Sequence, residues 1–272
     1  MLILNQAVQT SSSSGSGAFV ILAIVIIVFL KIISSALKEK PQKRPVPRNL
    51  NGTSPSRRNG SRVRIYYPTA NDIQNFNPHD LRIFGIPGKG LNDASNFSES
   101  NVKSGIEGEV KTASIVDKFV AKSTNCYVFH SMKWPLSSTQ ADVDHIIVCG
   151  ENVLLLDSKN WKQKGLYAFD WEGNITVDGK SYYFGKQPKI VNAREKYQDY
   201  IKEIFGDYHA VEVSSVVIIH NDSSSVGPGA YGRFNHLVTG ADLESFLREW
   251  ELTCGIVEDD KKLLCAIHSL LK

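Results

Sequence analysis

The 272-residue chain is poor in cysteine, with four, at positions 126, 149, 254 and 265. So few in this length exclude a disulfide scaffold, and no two form a C-x-x-C pair, so the spacing also argues against a cysteine zinc site. Ten prolines and twenty glycines exclude a fibrous or collagen-like chain. Residues 1–30 contain no ionisable side chain at all. The net charge is small, +3, and on its face discourages a nucleic-acid partner. What is present, 42% hydrophobic and 22% charged residues, is an ordinary globular composition. The length fits one large domain, or one medium domain with attachments.

The +3 is a sum of unlike parts. Residues 31–66 hold ten Lys/Arg against the single acid Glu39, a net of +9, and residues 67–272 hold 21 basic and 27 acidic residues, a net of −6. Before the basic tract, Ala18–Leu30 runs without a polar residue, and Ile32-Ile33 continue it past Lys31. A bilayer needs about 20 helical residues. Small flanking residues and a snorkelling Lys31 extend the run to a predicted transmembrane helix over 15–35. A cleaved signal peptide would need a basic region ahead of the apolar run, and there is none. The basic tract on the C-terminal side places that side in the cytoplasm and the N-terminus outside, a single-pass arrangement. Unpaired cysteines suit a reducing compartment. Residues 36–66 are rich in proline and poor in large apolar side chains, so they read as a disordered linker. Within it, the charge of 38–66 could hold anionic lipid or nucleic-acid phosphates, or serve only to set topology. Residues 67–104 read as an irregular lead-in, with Leu81, Ile83, Phe84 and Ile86 in one short strand.

From about residue 105 onward, helix and strand patterns alternate. Ser104 as N-cap, with Glu107 three residues on, predicts a helix over 105–122. Strands are expected over 126–130, 141–149 and 153–159. Two more, 166–177 and 180–184, are joined by Asp178-Gly179, a strong hairpin signal. A helix over 188–206, a buried strand over 211–220 and helices over 243–250 and 261–271 complete the chain. This is an α/β arrangement, a mixed sheet flanked by helices. Residues 223–272 are expected to form a helical extension packed on the domain.

The candidate chemistry lies on the second and third strands. Asp144 breaks an apolar run, and Asp157 follows Val-Leu-Leu-Leu near the end of the next strand. Positions i and i+2 of a strand share a face, so Asp157 and Lys159 project together beside Asp144. Carboxylates at buried strand positions need partners or a cation. Hard oxygen donors suit Mg²⁺ or Mn²⁺ rather than Zn²⁺. A neighbouring lysine can orient a water and offset charge on a phosphate. Glu109, in the preceding helix, offers a further carboxylate. The bland alternative is a strand-end acid with a solvated lysine partner. His145 alternates away from Asp144 and fits a structural hydrogen-bonding role. His220, after a buried strand, lies near a sheet edge from which it could approach the site. Trp171, Tyr182, Tyr183 and Phe184 could stack on bases, though packing against a helix suits them better.

Three motifs, in this order and spacing, carry a resemblance: Gly105-Ile-Glu-Gly-Glu109, Ala141-Asp-Val-Asp-His-Ile-Ile-Val148, and Leu156-Asp-Ser-Lys-Asn-Trp161 followed by Gly165. Together they resemble the nuclease-related domain (NERD) family, which is similar to the PD-(D/E)xK, restriction-endonuclease-like nucleases. The resemblance covers about 105–222. It implies a restriction-endonuclease-like core and a metal-dependent phosphodiesterase acting on DNA. By match, it implies that Asp144, Asp157, the Ser158 carbonyl and Glu109 hold Mg²⁺ and that Lys159 is catalytic. Asn160 and Trp161 match residues with a structural part. One departure is visible: the family often has Asn-Pro followed by a helix glutamine, whereas here the chain reads Gln187-Pro188-Lys-Ile-Val191. A second reading keeps the fold without turnover, as a membrane-tethered module that binds nucleic acid or protein. The net of −6 favours it, and the intact acid, acid and lysine set disfavours it.

Overall fold

The computed structural model describes residues 66–77, 81–92, 98–136, 142–182, 187–206, 211–227, 232–255 and 260–272. The expected membrane span over 15–35 and nearly all of the linker over 36–66 lie outside the described residues, as do Tyr183 and Phe184. Among the described residues no helix is long and apolar enough to cross a membrane.

The elements run α1 (Ala70–Asn75), β1 (Ile83–Phe84), α2 (Lys89–Asn92), α3 (Glu99–Lys122), β2 (Cys126–Lys133), β3 (Asp142–Cys149), β4 (Asn152–Lys159), β5 (Gly165–Phe169), β6 (Ile175–Val177), β7 (Lys180–Ser181), α4 (Lys189–Phe205), β8 (Glu212–Ile219), β9 (Ser224–Val226), β10 (Asn235–Thr239), α5 (Leu243–Cys254) and α6 (Lys261–His268). A six-stranded mixed sheet has the order β1-β2-β3-β4-β8-β10. β2, β3 and β4 form an antiparallel meander, while β1 joins β2, and β8 and β10 continue from β4, all in parallel. A second, four-stranded sheet has the order β7-β6-β5-β9.

The sheet is covered on both faces, which is why β4 and β8 read as continuous apolar runs rather than alternating ones. Alternation decides which helix each side chain meets. Val153 and Leu155 pack with Ile190, Ala193, Tyr197 and Ile201 of α4 and with Leu263 and Ile267 of α6. Leu154 and Leu156 pack with Val116, Phe119 and Val120 of α3 and with Leu243 and Leu247 of α5. The Asp178-Gly179 turn joins β6 to β7 with both residues at positive φ, 51° and 73°, as a type I′ hairpin requires.

Two expectations are corrected. The long helix starts at Glu99, not at 105: Ser98 is its N-cap and accepts from the Asn101 N–H, while Ser104 lies inside the helix. Ser98 offers the same hydroxyl cap six residues earlier, and the intervening residues extend the helix without a break. The 223–272 segment is not only helical, because it contributes β9 and places β10 at the edge of the main sheet. At the other end of that sheet the two-residue β1 covers only part of β2. Its outer side is paired with β1 over Val128 and Phe129 and, further along, with the chain near residue 271. The Lys133 N–H donates to the Leu270 carbonyl at 2.9 Å, and the Lys272 N–H to the Ser131 carbonyl at 3.2 Å. Lys272 also pairs through Nζ with Asp142 at 3.0 Å, and its carbonyl accepts from Lys89 Nζ at 2.7 Å.

Candidate active site

The β3–β4 ladder pairs Cys149 with Asn152 and runs as far as His145 opposite Leu156. One further step would set Asp144 against Asp157, but the ladder ends there. Asp144 turns its Oδ2 to the Ser158 N–H instead, at 2.6 Å. Asp157 and Lys159 project from the same face of β4, and Lys159 Nζ donates to Asp157 Oδ1 at 2.6 Å. Their side chains are 13% and 21% exposed, so solvent screens the pair only in part.

Glu109 arrives from α3, on the other face of the sheet. What lets it come so near is Gly108: a Cβ there would sit 3.3 Å from the Asn160 Cβ, so only a bare backbone fits comfortably against β4. Asn160 in turn donates through Nδ2 to the Ser104 carbonyl, fastening the strand end to the helix. The buried Glu109 carboxylate accepts from the Gly88 N–H at 2.8 Å. Gly88 presents that N–H from a φ of +77°, open to glycine and rare for other residues.

These four groups feel one another. Burial pushes the Glu109 carboxyl up to about 7, and Asp142 and Asp157 add to the rise, against the Gly88 hydrogen bond and Lys159. Burial also raises Asp144 well above the ordinary carboxylate range. Glu109 and Asp157 raise it further, while Lys159 and the Ser158 N–H pull it back. Asp157 Oδ2 is buried with no hydrogen-bond partner among the described residues. A buried carboxylate oxygen left unpaired is costly. Crowded acids of this kind, with an unmet acceptor facing them, fit a hard divalent cation. The ligand atoms of Glu109, Asp144 and Asp157 do not all lie within 4.8 Å of one another. Among the described residues the one set that does is Cys126, Cys149 and Glu251.

Behind the strand end runs a buried polar chain that sequence reasoning missed. Asp117 Oδ1 meets His130 Nε2 at 3.0 Å, and His130 Nδ1 meets His145 Nδ1 at 2.7 Å. His145 Nε2 lies 3.5 Å from the Ser158 hydroxyl, which donates to Thr112 at 2.8 Å. Thr112 meets His220 Nε2 at 2.6 Å. Burial lowers all three histidines, His220 to about 4, so they are neutral at neutral pH. His145 thus faces away from Asp144 into this chain, and His220 reaches the site only through Thr112 and Ser158. The available signal was the β2–β3 register, which sets His130 directly opposite His145. Trp161 packs against Tyr167 and Tyr182, with ring centroids 5.8 and 5.0 Å away. Trp171 is 87% exposed.

The site thus gathers two strand carboxylates and a lysine where two strands part, in a mixed sheet flanked by helices. Residues 104–220 match the family model of the nuclease-related domain, NERD. Glu109, Asp144, Asp157, Lys159 and the whole buried polar chain lie within the matched segment. No curated protein and no solved structure matches the chain. A domain of this kind supports a nuclease-like function, with nucleic acid as partner and a metal ion as the typical requirement.

Proposed function

We propose that the protein hydrolyses phosphodiester bonds of nucleic acid, DNA in the first place, using Mg²⁺ or Mn²⁺ held at the parting of β3 and β4. The observation that carries this is the buried Asp157 Oδ2, unpartnered among the described residues, beside two carboxyls raised by burial and by neighbouring acids. Asp144, Asp157 and the Ser158 carbonyl would hold the ion, with Glu109 supporting it. When bound, the ion polarises the scissile phosphate and stabilises the leaving oxygen. Ser158 fixes one oxygen of Asp144 through its N–H, so that carboxylate is aimed before any ion arrives. Lys159, held by Asp157, orients the attacking water and offsets negative charge at the phosphate. The neutral His130–His145 pair and Thr112 anchor Ser158, and through it the strand end, from below.

The apolar run Ala18–Leu30 and the basic tract after it support a single transmembrane helix over 15–35, with the folded part on the cytoplasmic face. The tract also brings positive charge to a folded part that is itself net negative, which supports a role in holding DNA phosphates. The test is a cleavage assay with the full chain across DNA and RNA, single and double strands, in Mg²⁺ and Mn²⁺. Wild type is expected to cut and Lys159→Ala is expected to be silent while keeping its Tm. Cleavage by Lys159→Ala at the wild-type rate would remove the assignment.

A second reading, a tethered binding module without turnover, is favoured by the net of −6 over 67–272. Calorimetry separates the two. Metal uptake lost in Asp157→Asn supports the enzyme, and nucleic-acid binding that needs no metal supports the module.

A further inference from the structure

At the far end of the same strands the fold gathers a different set of donors. Cys126 opens β2 and stands directly opposite Cys149, the last residue of β3. Helix α5 lays Glu251 beside them, and the Sγ atoms of Cys126 and Cys149 and a carboxylate oxygen of Glu251 all lie within 4.8 Å of one another. Cys254 follows Glu251 by three residues, on the same helix face. Its thiol interacts with that of Cys149 and donates to the Trp250 carbonyl at 3.3 Å. The cysteines are free and buried, and Glu251 is half-buried, so the cluster has a polar outlet to solvent.

We propose that Cys126, Cys149 and Glu251 form a binding site for a thiophilic divalent ion of the Zn²⁺ type, with the fourth position filled by Cys254 or water. The donor chemistry is the first argument. Two thiolates and a carboxylate suit Zn²⁺, whereas the carboxylates at the other end of the strands suit a harder ion. Distance is the second. Zn–S near 2.3 Å and Zn–O near 2.0 Å at a tetrahedral angle put sulfur and oxygen about 3.5 Å apart. Cys126 Sγ and Glu251 Oε1 are 3.7 Å apart, close to that separation.

Support around the cluster is the third argument. The Ser123 hydroxyl donates to Glu251 Oε1, orienting the carboxylate as an outer-shell partner does, and Ser123 is itself held as the cap of α3. Without an ion the thiols stay protonated. The Cys149 contact and burial push Cys126 up. The Cys126 contact lowers Cys149, but Cys254 and burial together outweigh it and push that thiol up to about 12. Uptake of the ion therefore replaces two S–H bonds with two S–metal bonds and sends two protons to solvent. Spacing along the chain could not reveal this set, because its members come from two strand ends and a helix more than a hundred residues later. Occupied, the site would tie α5 to the β2–β3 end of the sheet, away from the phosphodiester chemistry.

The test is Co²⁺ titration of the full chain, purified and stripped with a chelator. One equivalent is expected to raise thiolate-to-cobalt charge-transfer absorption, and Zn²⁺ to bleach it. The band should persist in Asp157→Asn, which separates this site from the candidate active site. It should vanish in the Cys126→Ser/Cys149→Ser variant. Because that variant removes two core side chains, Glu251→Gln, on the partly exposed helix, is the milder control. It should keep the wild-type fold by circular dichroism and bind Co²⁺ at least tenfold more weakly. Absence of the band in wild type, or its survival in the double cysteine variant, would overturn the proposal. So would a Cys126–Cys149 disulfide recovered from the unreduced chain, or unchanged Co²⁺ affinity in Glu251→Gln.

Discussion

β3 carries two unlike clusters about 17 Å apart, the length of five residues of extended strand. At one end Asp144 sits with Asp157, Glu109 and Lys159, where the ladder to β4 has come apart. At the other, Cys149 sits in full register with Cys126 and Asn152. The acidic end is strained by charge: raised carboxyls and an unpaired oxygen. The thiol end is quieter: its sulfurs are protonated and uncharged, and its one carboxylate, Glu251, is half-exposed. The difference shows how one sheet can prepare two sites. Ending a ladder early frees carboxylates for a hard ion and substrate, and keeping it intact holds soft donors against a helix.

Several substitutions probe this contrast. The largest effect is expected at the acidic end. Asp157→Asn or Lys159→Ala should lower cleavage by about 10²–10⁴-fold, the range for loss of a positioned acid–base group, without loss of Tm. Cys149→Ala should do the reverse, leaving Mg²⁺-dependent cleavage intact while costing about 0.5–3 kcal/mol of stability by denaturation. A variant with equal losses in both assays would show that the two ends are one unit.

The basic tract gives the next effect. Neutralising its Lys and Arg residues in the full chain should weaken DNA binding at low salt and flatten its salt dependence. Equal affinity would leave the tract only a topological role.

A pH effect follows from Glu109. Its folded pKa of about 7 lies above the ordinary value, so in the metal-free chain its contribution to stability is present at low pH and fades as pH rises through 7. Metal binding needs the ionised carboxyl, so apparent Mg²⁺ affinity should fall on acidification below about pH 7. Glu109→Gln should shift that inflection, because Asp144 is also raised and loses the charge of Glu109 beside it.

The smallest expected effect is at Trp171. With the ring 87% exposed, Trp171→Ala should change stability by no more than about 0.5 kcal/mol, checked by urea unfolding.

Much of this was legible along the chain. The i, i+2 rule put Asp157 and Lys159 on one face, and Asp178-Gly179 fixed a hairpin, because both depend on neighbours in sequence. The burial of Glu109 was not legible. It depends on Gly88 and Gly108, which work through contacts across the fold rather than through local pattern. β10 escaped for a related reason: Asn-His-Leu-Val-Thr is short and mixed, and only parallel pairing with β8 makes it a strand. The start of α3 was misplaced because Ser98 and Ser104 offer equivalent hydroxyl caps, and the chain uses the earlier one. The polar chain from Asp117 to His220 joins four elements and the residue after β8, and leaves no single motif.

The pairing of residues 270–272 with β2 has a consequence for self-association. Those residues occupy backbone donors and acceptors of Ser131 and Lys133, and they connect, through Lys272, the loop at Lys89 to Asp142. Removing them would leave a bare strand edge, ready to pair with another copy. The same loss would loosen the loop that offers Gly88 to Glu109. A chain shortened by three residues would then be both stickier and poorer at holding its ion, two failures from one missing strip of backbone.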